Sequence, residues 1–186
     1  VLLDLRDQPE SLIVLGAGPV GLELGQFFSR IGTRVTIVQR SPYVLSHLDQ
    51  DVGSALMQAL EQEGLSIIAE ATVQRIETAG QQPEVHLTRR GTEQSLSGEL
   101  VLNALGRVPN IAGLNLSLAG VTVDASRVVV DGEMRTSQPH IFAVGDVTNL
   151  YDIVHIAIQQ GELAGWNACH PGQAPKQFDD RLVTEV

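Results

Sequence analysis

The sequence predicts an α/β fold with a doubly wound parallel β-sheet, and two observations support this prediction. Between residues 11 and 69, short apolar runs alternate with longer segments whose apolar residues recur at helical spacing. The short runs are rich in valine, leucine and isoleucine, which is typical of parallel strands that are covered on both faces. Strands and helices in alternation are the repeating unit of a doubly wound sheet.

Two helices and three strands are expected in this region. The first helix is predicted over 19–31, with Pro19 in the first turn, where its missing N–H is not needed. The second helix is predicted from an N-cap at Asp49 to a stop at Gly64. The strands are predicted over 11–15, 33–38 and 65–69. The buried face of the first helix is predicted to consist of Val20, Leu24, Phe27, Phe28 and Ile31.

The next segment interrupts the parallel pattern. Residues 71–98 alternate between apolar and polar positions, with turns near Gly80 and Gly91, and predict a small antiparallel insertion. Residues 100–105 are again apolar and are expected to return to the parallel sheet. The pattern breaks at 106–110, which is the predicted domain boundary.

Shorter elements are expected beyond this boundary. A helix is predicted over 153–167, with Ile153, Ile156, Ala157, Gln160 and Ala164 along one side. The polar, proline-containing residues 171–186 are predicted to form a linker. The strands expected here are a pair around 121–123 and 128–130 and a buried strand at 141–144.

Composition excludes several classes of function. The formal net charge of −10 argues against nucleic-acid binding, because such proteins need a basic face to displace counterions. Cys169 is the only cysteine, so no intramolecular disulfide can form, and no metal site is predicted. No apolar run reaches the roughly 18 residues of a membrane span and no signal peptide is visible, so a cytoplasmic location without a membrane partner is expected. The chain begins at Val1 and stops in mid-pattern, as expected of a piece of a longer protein.

A glycine-rich motif, GAGPVG, lies between the first predicted strand and the first predicted helix. In this context Gly16 allows a tight turn, Gly18 lets a pyrophosphate approach the backbone, and Gly21 lets the helix pack closely on the strand. The phosphates would then lie at the positive end of the helix dipole. The motif predicts a Rossmann-like NAD(P)-binding domain whose nucleotide contacts include Gly16, Gly18, Pro19, Val20 and Gly21.

The end of the second predicted strand bears on the choice between NAD and NADP. NAD sites usually place an acidic residue there for the ribose hydroxyls, whereas this chain has Gln39 followed by Arg40. Arg40 could hold a 2′-phosphate through its planar guanidinium, so NADP(H) is favoured. The alternative stays open that Arg40 is a solvated surface charge and Gln39 bonds the ribose.

Three segments together resemble a known family. They are LGAGPVGLELG at 15–25, LNALGRVPN at 102–110 and TSQPHIFAVGD at 136–146. In order and spacing they are similar to the NAD(P) fingerprint, the link back to the flavin domain and the second FAD motif of the pyridine nucleotide-disulfide oxidoreductases, the class I flavoprotein reductases. Within that family the chain looks most similar to dihydrolipoamide dehydrogenase, mercuric reductase and glutathione reductase. Ser46 stands where glutathione reductases have a second arginine, which leaves the NADP preference open.

The resemblance implies a domain organisation and further site residues. It implies an NAD(P)-binding domain over 1–108, the C-terminal part of an FAD-binding domain over 109–170 and, over 171–186, a linker toward a dimerisation domain. The overall expectation is an α/β fold, a Rossmann-like doubly wound parallel sheet with a small antiparallel β insertion, followed by part of an FAD domain. The additional contacts implied are Glu23 near nicotinamide and flavin, Val73 beside the adenine, Gly106 near the nicotinamide nucleotide, and Asp146, Val154 and His155 at the flavin.

The activity implied is hydride transfer between NAD(P)H and FAD, followed by electron transfer to or from a small-molecule or protein dithiol/disulfide, as in dihydrolipoamide dehydrogenase. The whole protein is expected to be a homodimer. The family's first FAD fingerprint, redox-active cysteine pair and histidine–glutamate pair are not in this sequence, so no catalytic residue is predicted in it and the isolated chain is expected to be inactive. Two alternatives stay open: a flavoenzyme of this fold without a redox disulfide, such as a soluble transhydrogenase or NAD(P)H oxidase, and a non-catalytic nucleotide-binding module.

Overall fold

A computed structural model describes residues 4–80, 82–179 and 181. The chain divides into two compact units, Val1–Gly106 and Arg107–Val186. The division falls inside the segment 106–110, where the sequence pattern breaks. The assignment of 1–108, 109–170 and 171–186 to nucleotide, flavin and linker regions stays a prediction.

The first unit is built on a four-stranded parallel sheet of β1 (Ser11–Leu15), β2 (Arg34–Val38), β3 (Ser66–Ile68) and β7 (Leu100–Asn103). The strands lie in the order β3-β2-β1-β7. The parallel sheet and its interruption by an antiparallel segment are therefore confirmed. In β1 and β2 alternate side chains point to opposite faces, so both faces of these strands bear apolar residues.

One face of the parallel sheet is covered by the helices α1 (Pro19–Arg30) and α2 (Gln50–Gln62). The core on this face includes Leu12, Val14, Val35, Ile37, Leu22, Phe28 and Leu60. The opposite face is covered by an antiparallel sheet of β4 (Ala71–Ala79), β5 (Gln82–Arg89) and β6 (Thr92–Ser97). Here Val85 and Leu87 of β5 pack with Ile13, Leu15 and Val38 of the parallel sheet.

The buried face of α1 differs from the predicted one. The prediction is wrong at three positions, because Val20 is 54% exposed, Phe27 55% and Ile31 44%. The buried residues of the helix are Gly21, Leu22, Gly25 and Phe28. The helix lies close to the sheet through its glycines, since a Cβ on Gly25 would lie 3.2 Å from Ile37 Cδ1. The spacing of apolar side chains does not reveal a helix face that is buried through glycines, because glycine has no side chain.

The second unit contains a short hairpin, a 3₁₀ helix and one long helix. The hairpin strands are β8 (Val123–Asp124) and β9 (Arg127–Val128), the 3₁₀ helix is Gly145–Thr148 and α3 is Val154–Cys169. Of the residues predicted along one side of this helix, Ile156, Gln160 and Ala164 are buried, whereas Ile153 and Ala157 are half-buried.

The strand predicted at 141–144 is wrong. Phe142 forms a single antiparallel bridge with Arg135, and the Ala143 N–H donates to the Met134 carbonyl. A strand needs a continuous ladder of paired residues, and one bridge does not provide it. All four residues of the segment are half-buried rather than buried.

Residues 170–179, at the start of the predicted linker, pack back on the second unit. The buried side chain of Asn167 donates to the carbonyls of Glu133 and Lys176 at 3.1 and 3.0 Å and accepts from the Lys176 N–H at 2.8 Å. The Phe178 N–H donates to the Gly132 carbonyl at 2.7 Å. This stretch is therefore fixed by hydrogen bonds to the rest of the second unit.

Candidate nucleotide-binding site

The glycine turn follows β1 directly and is tightly packed at two of its glycines. Gly16 has φ +102°, and a Cβ on it would lie 2.5 Å from the Ala104 carbonyl oxygen. A Cβ on Gly21 would lie 2.1 Å from the Gly16 carbonyl oxygen. Both distances are far below an ordinary van der Waals contact, so only glycine allows this close approach of helix, turn and neighbouring strand end.

Gly18 is different, because it faces open space. It is the N-cap of α1, with φ −80° and ψ 178°, and a Cβ on it would have no heavy atom within 4 Å. Within the part of the chain that the structure describes, no side-chain hydrogen bond caps the helix, which leaves N–H groups of its first turn open. The turn therefore presents a helix N-terminus with room for a group that approaches the backbone, which suits an anion.

The other predicted residues of the helix lie near this end. Pro19 and Val20 open the helix and Glu23 is its fifth residue, and all three are exposed. Their exposure leaves them accessible to a ligand at the helix N-terminus.

Gln39 directly follows β2, and its side chain reaches the glycine turn. Its Oε1 accepts from the Ala17 N–H at 3.4 Å, and its Nε2 donates to the Tyr43 carbonyl at 3.4 Å. Both are long hydrogen bonds. The backbone of Gln39 is anchored at normal distances to Ile68 and Ala71. The structure thus brings Gln39 and the glycine motif together.

Arg40 is exposed and forms no hydrogen bond or ion pair within the described residues. Its guanidinium is therefore available to an anionic ligand beside β2.

Gly106, at the end of the first unit, is exposed with φ +132°. Val73 is half-buried on β4, against the core below the antiparallel sheet.

The predicted flavin contacts all lie in the second unit. Asp146 is in the 3₁₀ helix, while Val154 and His155 are exposed on the first turn of α3. Asp146 Oδ2 accepts from Arg107 Nη1 at 2.8 Å. Arg107 was not predicted as a site residue, although it belongs to the GRVPN segment on which the resemblance rests.

Gln160 is a second residue that sequence reasoning placed only in the core. It is fully buried on α3, and its Oε1 accepts from the Gly145 N–H at 2.7 Å. Thr148 Oγ1 donates to the Gly145 carbonyl at 2.8 Å. These contacts fix the backbone of the turn that bears Asp146. A glutamine on the apolar side of a predicted helix was the signal for such a role.

A separate cleft of about 260 Å³ lies on the antiparallel sheet. Its lining includes Arg75, His86 and Glu93, and none of its lining residues belongs to the predicted nucleotide site. Beside it, Arg75 Nε donates to Glu77 Oε1 at 2.6 Å, and this hydrogen bond is the main reason why the pKa of the Glu77 carboxyl is lowered. His86 Nε2 lies 3.3 Å from Glu77 Oε2.

Two features are absent from the described part of the chain. No group of three or more histidine, cysteine, aspartate or glutamate residues among these residues is arranged to hold a metal ion. None of the described helices combines the length and the apolar character needed to cross a membrane.

A parallel sheet whose first strand leads through a glycine turn into a helix N-terminus is typical of nucleotide-binding α/β proteins. Comparison with known sequences gives the family. The chain belongs to the pyridine nucleotide-disulphide oxidoreductase family, whose model matches residues 2–161.

Curated relatives and solved structures agree with this family. The chain is 37% identical to a mercuric reductase of Bacillus cereus over 90% of this chain and 27% of that protein. It is 38% identical to a dihydrolipoyl dehydrogenase of Mycobacterium bovis over 86% of this chain and 34% of that protein. A structure of the HOCl-induced flavoprotein disulfide reductase RclA from Escherichia coli matches 97% of this chain and 40% of its own, with TM-score 0.84 and 30% identity.

The predicted resemblance is therefore confirmed, and the chain spans about a third of the length of the curated relatives it matches. The family uses FAD and NAD(P)H as cofactors, as expected. The open space at Gly18 fits the phosphates of such a dinucleotide, and the exposed carboxylate of Asp146 fits a hydroxyl donor.

Proposed function

We propose that this chain is the NAD(P)-binding portion of an FAD-dependent oxidoreductase, together with part of its flavin-binding portion. The observation that supports this most strongly is the contrast within the glycine turn, where Gly16 and Gly21 are packed against backbone atoms and Gly18 faces open space. A pyrophosphate site at a helix N-terminus needs glycines that let the helix and the turn pack closely. It also needs, between them, a glycine that faces open space, where the phosphates can reach the backbone.

Each residue of the turn has a physical task in this proposal. The backbone at Gly18 and the uncapped first turn of α1 bind the pyrophosphate, and the helix dipole favours its negative charge. Pro19, Val20 and Glu23 line the same helix end. Gln39 orients the turn through Ala17 and lies where the adenosine ribose is bound in this class of site.

We propose that Arg40 holds a 2′-phosphate and that the protein prefers NADP(H). The exposed, unpaired guanidinium of Arg40 among the described residues supports this, as does the absence of a carboxylate at position 39. A charge-assisted arginine–phosphate contact contributes about 1.5–3 kcal/mol, which is roughly a 10- to 100-fold preference for NADPH over NADH.

Calorimetric titration of the 186-residue chain with NADH and NADPH tests this preference. Arg40→Ala should reduce the NADPH affinity to that of NADH. Arg34→Ala is the matched control, because Arg34 is an exposed arginine at the other end of β2. If NADH binds equally well or better and Arg40→Ala changes nothing, Gln39 serves the ribose hydroxyls and the protein uses NAD(H).

The proposed reaction is of the dihydrolipoamide dehydrogenase type. When bound, the nicotinamide nucleotide and FAD supply the hydride transfer, after which electrons pass to or from a dithiol/disulfide substrate. The similarity to a dihydrolipoyl dehydrogenase supports this choice, and the similarity to a mercuric reductase indicates the competing acceptor to test. The whole protein should turn over a disulfide with NAD(P)H. Turnover of Hg²⁺ without any turnover of disulfides would contradict the proposal.

We further propose that the whole protein is a homodimer and that this chain alone is inactive. The proposed flavin contacts of the chain are confined to Asp146, Val154 and His155, and a redox-active cysteine pair is not in its sequence. The purified chain with added FAD should not turn over a disulfide, and steady turnover would refute this. Light scattering of the whole protein should give the mass of two subunits.

A further inference from the structure

We propose that Arg107 is a positioning residue for the flavin side of the site, which it serves by fixing the Asp146 carboxylate to the segment that leads into α3. This inference rests on the proposed function, because Asp146, Val154 and His155 are its proposed flavin contacts. These contacts lie on two separate elements, a 3₁₀ helix and the first turn of α3. A residue that bonds to both elements can set their relative position.

The guanidinium of Arg107 makes such a double contact. Its Nη1 donates to Asp146 Oδ2 at 2.8 Å. Its Nη2 donates to the backbone carbonyl of Asp152 at 3.0 Å and lies 3.1 Å from Asp152 Oδ2. Asp152 directly precedes Ile153, the N-cap of α3. One side chain therefore ties the turn of Asp146 to the start of the helix that bears Val154 and His155.

This arrangement leaves the ligand side of Asp146 open. Only Oδ2 is occupied by Arg107, and Oδ1 makes no hydrogen bond within the described residues. A carboxylate held at one oxygen has a fixed orientation, and its other oxygen can accept a hydrogen bond from a hydroxyl. The side chain of Asp146 is 51% exposed, so a ligand can reach it.

The inner side of the same turn is fixed independently. Gln160 of α3 accepts from the Gly145 N–H, and a Cβ on Gly145 would lie 3.1 Å from Ala157 Cβ. The backbone of the turn is therefore fixed to α3 without Arg107. What Arg107 adds is the orientation of the Asp146 side chain and of the segment before α3.

Because Arg107 is exposed, its effect on the flavin site can be measured apart from any effect on folding. Its side chain is 56% exposed, and exposed ion pairs contribute little to stability. Its replacement should therefore leave the protein folded. Arginine is required for the double contact, because its planar fork reaches two acceptors in fixed directions, whereas a lysine presents a single ammonium.

The test measures FAD binding to the apoprotein of the whole flavoprotein by flavin fluorescence. Arg107→Gln should weaken FAD binding about 2- to 5-fold without lowering the Tm of the apoprotein, and Arg107→Lys should restore part of the affinity. Arg127→Gln is the matched control, because it removes the exposed ion pair of Arg127 with Asp124 on the β8–β9 hairpin. This control should bind FAD like the wild type.

A double-mutant cycle shows whether Arg107 acts through Asp146. In an Asp146→Ala background, Arg107→Gln should cause a smaller loss of FAD affinity than in the wild type, because only the contact with Asp152 is left to lose. An equal loss in both backgrounds, an unchanged affinity of Arg107→Gln, or a loss accompanied by a lower Tm would each overturn the inference while leaving the proposed function intact. A wild-type apoprotein that binds no FAD would instead overturn the proposed function, and the inference with it.

Discussion

Replacing Gly18 by alanine should separate nucleotide binding from folding. The backbone at Gly18 has φ −80° and ψ 178°, which alanine adopts freely, and the new methyl would have no heavy atom within 4 Å. Gly21 provides the matched contrast in the same turn. Its new methyl would lie 2.1 Å from the Gly16 carbonyl oxygen, so helix and turn would have to move apart.

The two substitutions are expected to change different quantities: Gly18→Ala the nucleotide affinity, and Gly21→Ala the free energy of unfolding. For Gly18→Ala, a poorer N-cap costs roughly 0.5–1 kcal/mol, and the lower entropy of the unfolded chain offsets about 0.4–1 kcal/mol, so the free energy of unfolding should change little. For Gly21→Ala, the steric overlap with a backbone oxygen should cost about 1–3 kcal/mol or more. A methyl at Gly18 that excludes a phosphate from the backbone N–H groups should weaken NAD(P)H binding roughly 10- to 100-fold.

Urea denaturation and calorimetric titration of both variants measure these effects. Gly18→Ala should unfold at nearly the wild-type urea concentration and lose nucleotide affinity, while Gly21→Ala should lose stability. If Gly18→Ala binds NAD(P)H as tightly as the wild type, no phosphate approaches Gly18 and the proposed site is wrong. If Gly21→Ala keeps full stability, the close packing of the turn is wrong.

Two further predictions concern stability. Asn167→Ala should lower the free energy of unfolding by about 2–3 kcal/mol in urea, because the three hydrogen bonds of this buried side chain to backbone groups are lost, and an unchanged midpoint would show that residues 170–179 are not fixed by them. The pKa of Glu77 is lowered from 4.5 by Arg75, so its ionised form contributes stability that is present above about pH 4.5 and is lost as the pH falls through the lowered pKa. Glu77→Gln should therefore lose less stability than the wild type on acidification, and parallel curves would contradict this.

The parallel sheet was predictable because its strands are local apolar runs of the right length. The predicted strand 11–15 agrees with β1, and 33–38 and 65–69 differ from β2 and β3 by a residue at one or both ends. The buried face of α1 was not predictable from apolar periodicity, because Gly21 and Gly25 are buried by backbone approach. The glycine motif itself contained that information, since its third glycine is expected to pack the helix against the strand.

The contacts of the second unit were not predictable from local patterns. Arg107 and Asp146 are 39 residues apart, and Gly145 and Gln160 are 15 apart. Such pairs form only when the chain has folded, and the residues next to either member in the sequence do not indicate its partner. The segment 141–144 has the composition of a strand but only one bridged pair, which is a property of its neighbours and not of its residues.

The glycine turn of this chain is expected to bind the nicotinamide dinucleotide. Titration of ¹⁵N-labelled chain with NADPH, followed by amide chemical shifts, tests it most directly. The largest shifts should then occur at residues 16–21, excluding Pro19, and at Gln39 and Arg40. Shifts concentrated at the cleft on the antiparallel sheet around His86, or none at saturating NADPH and NADH, would contradict it.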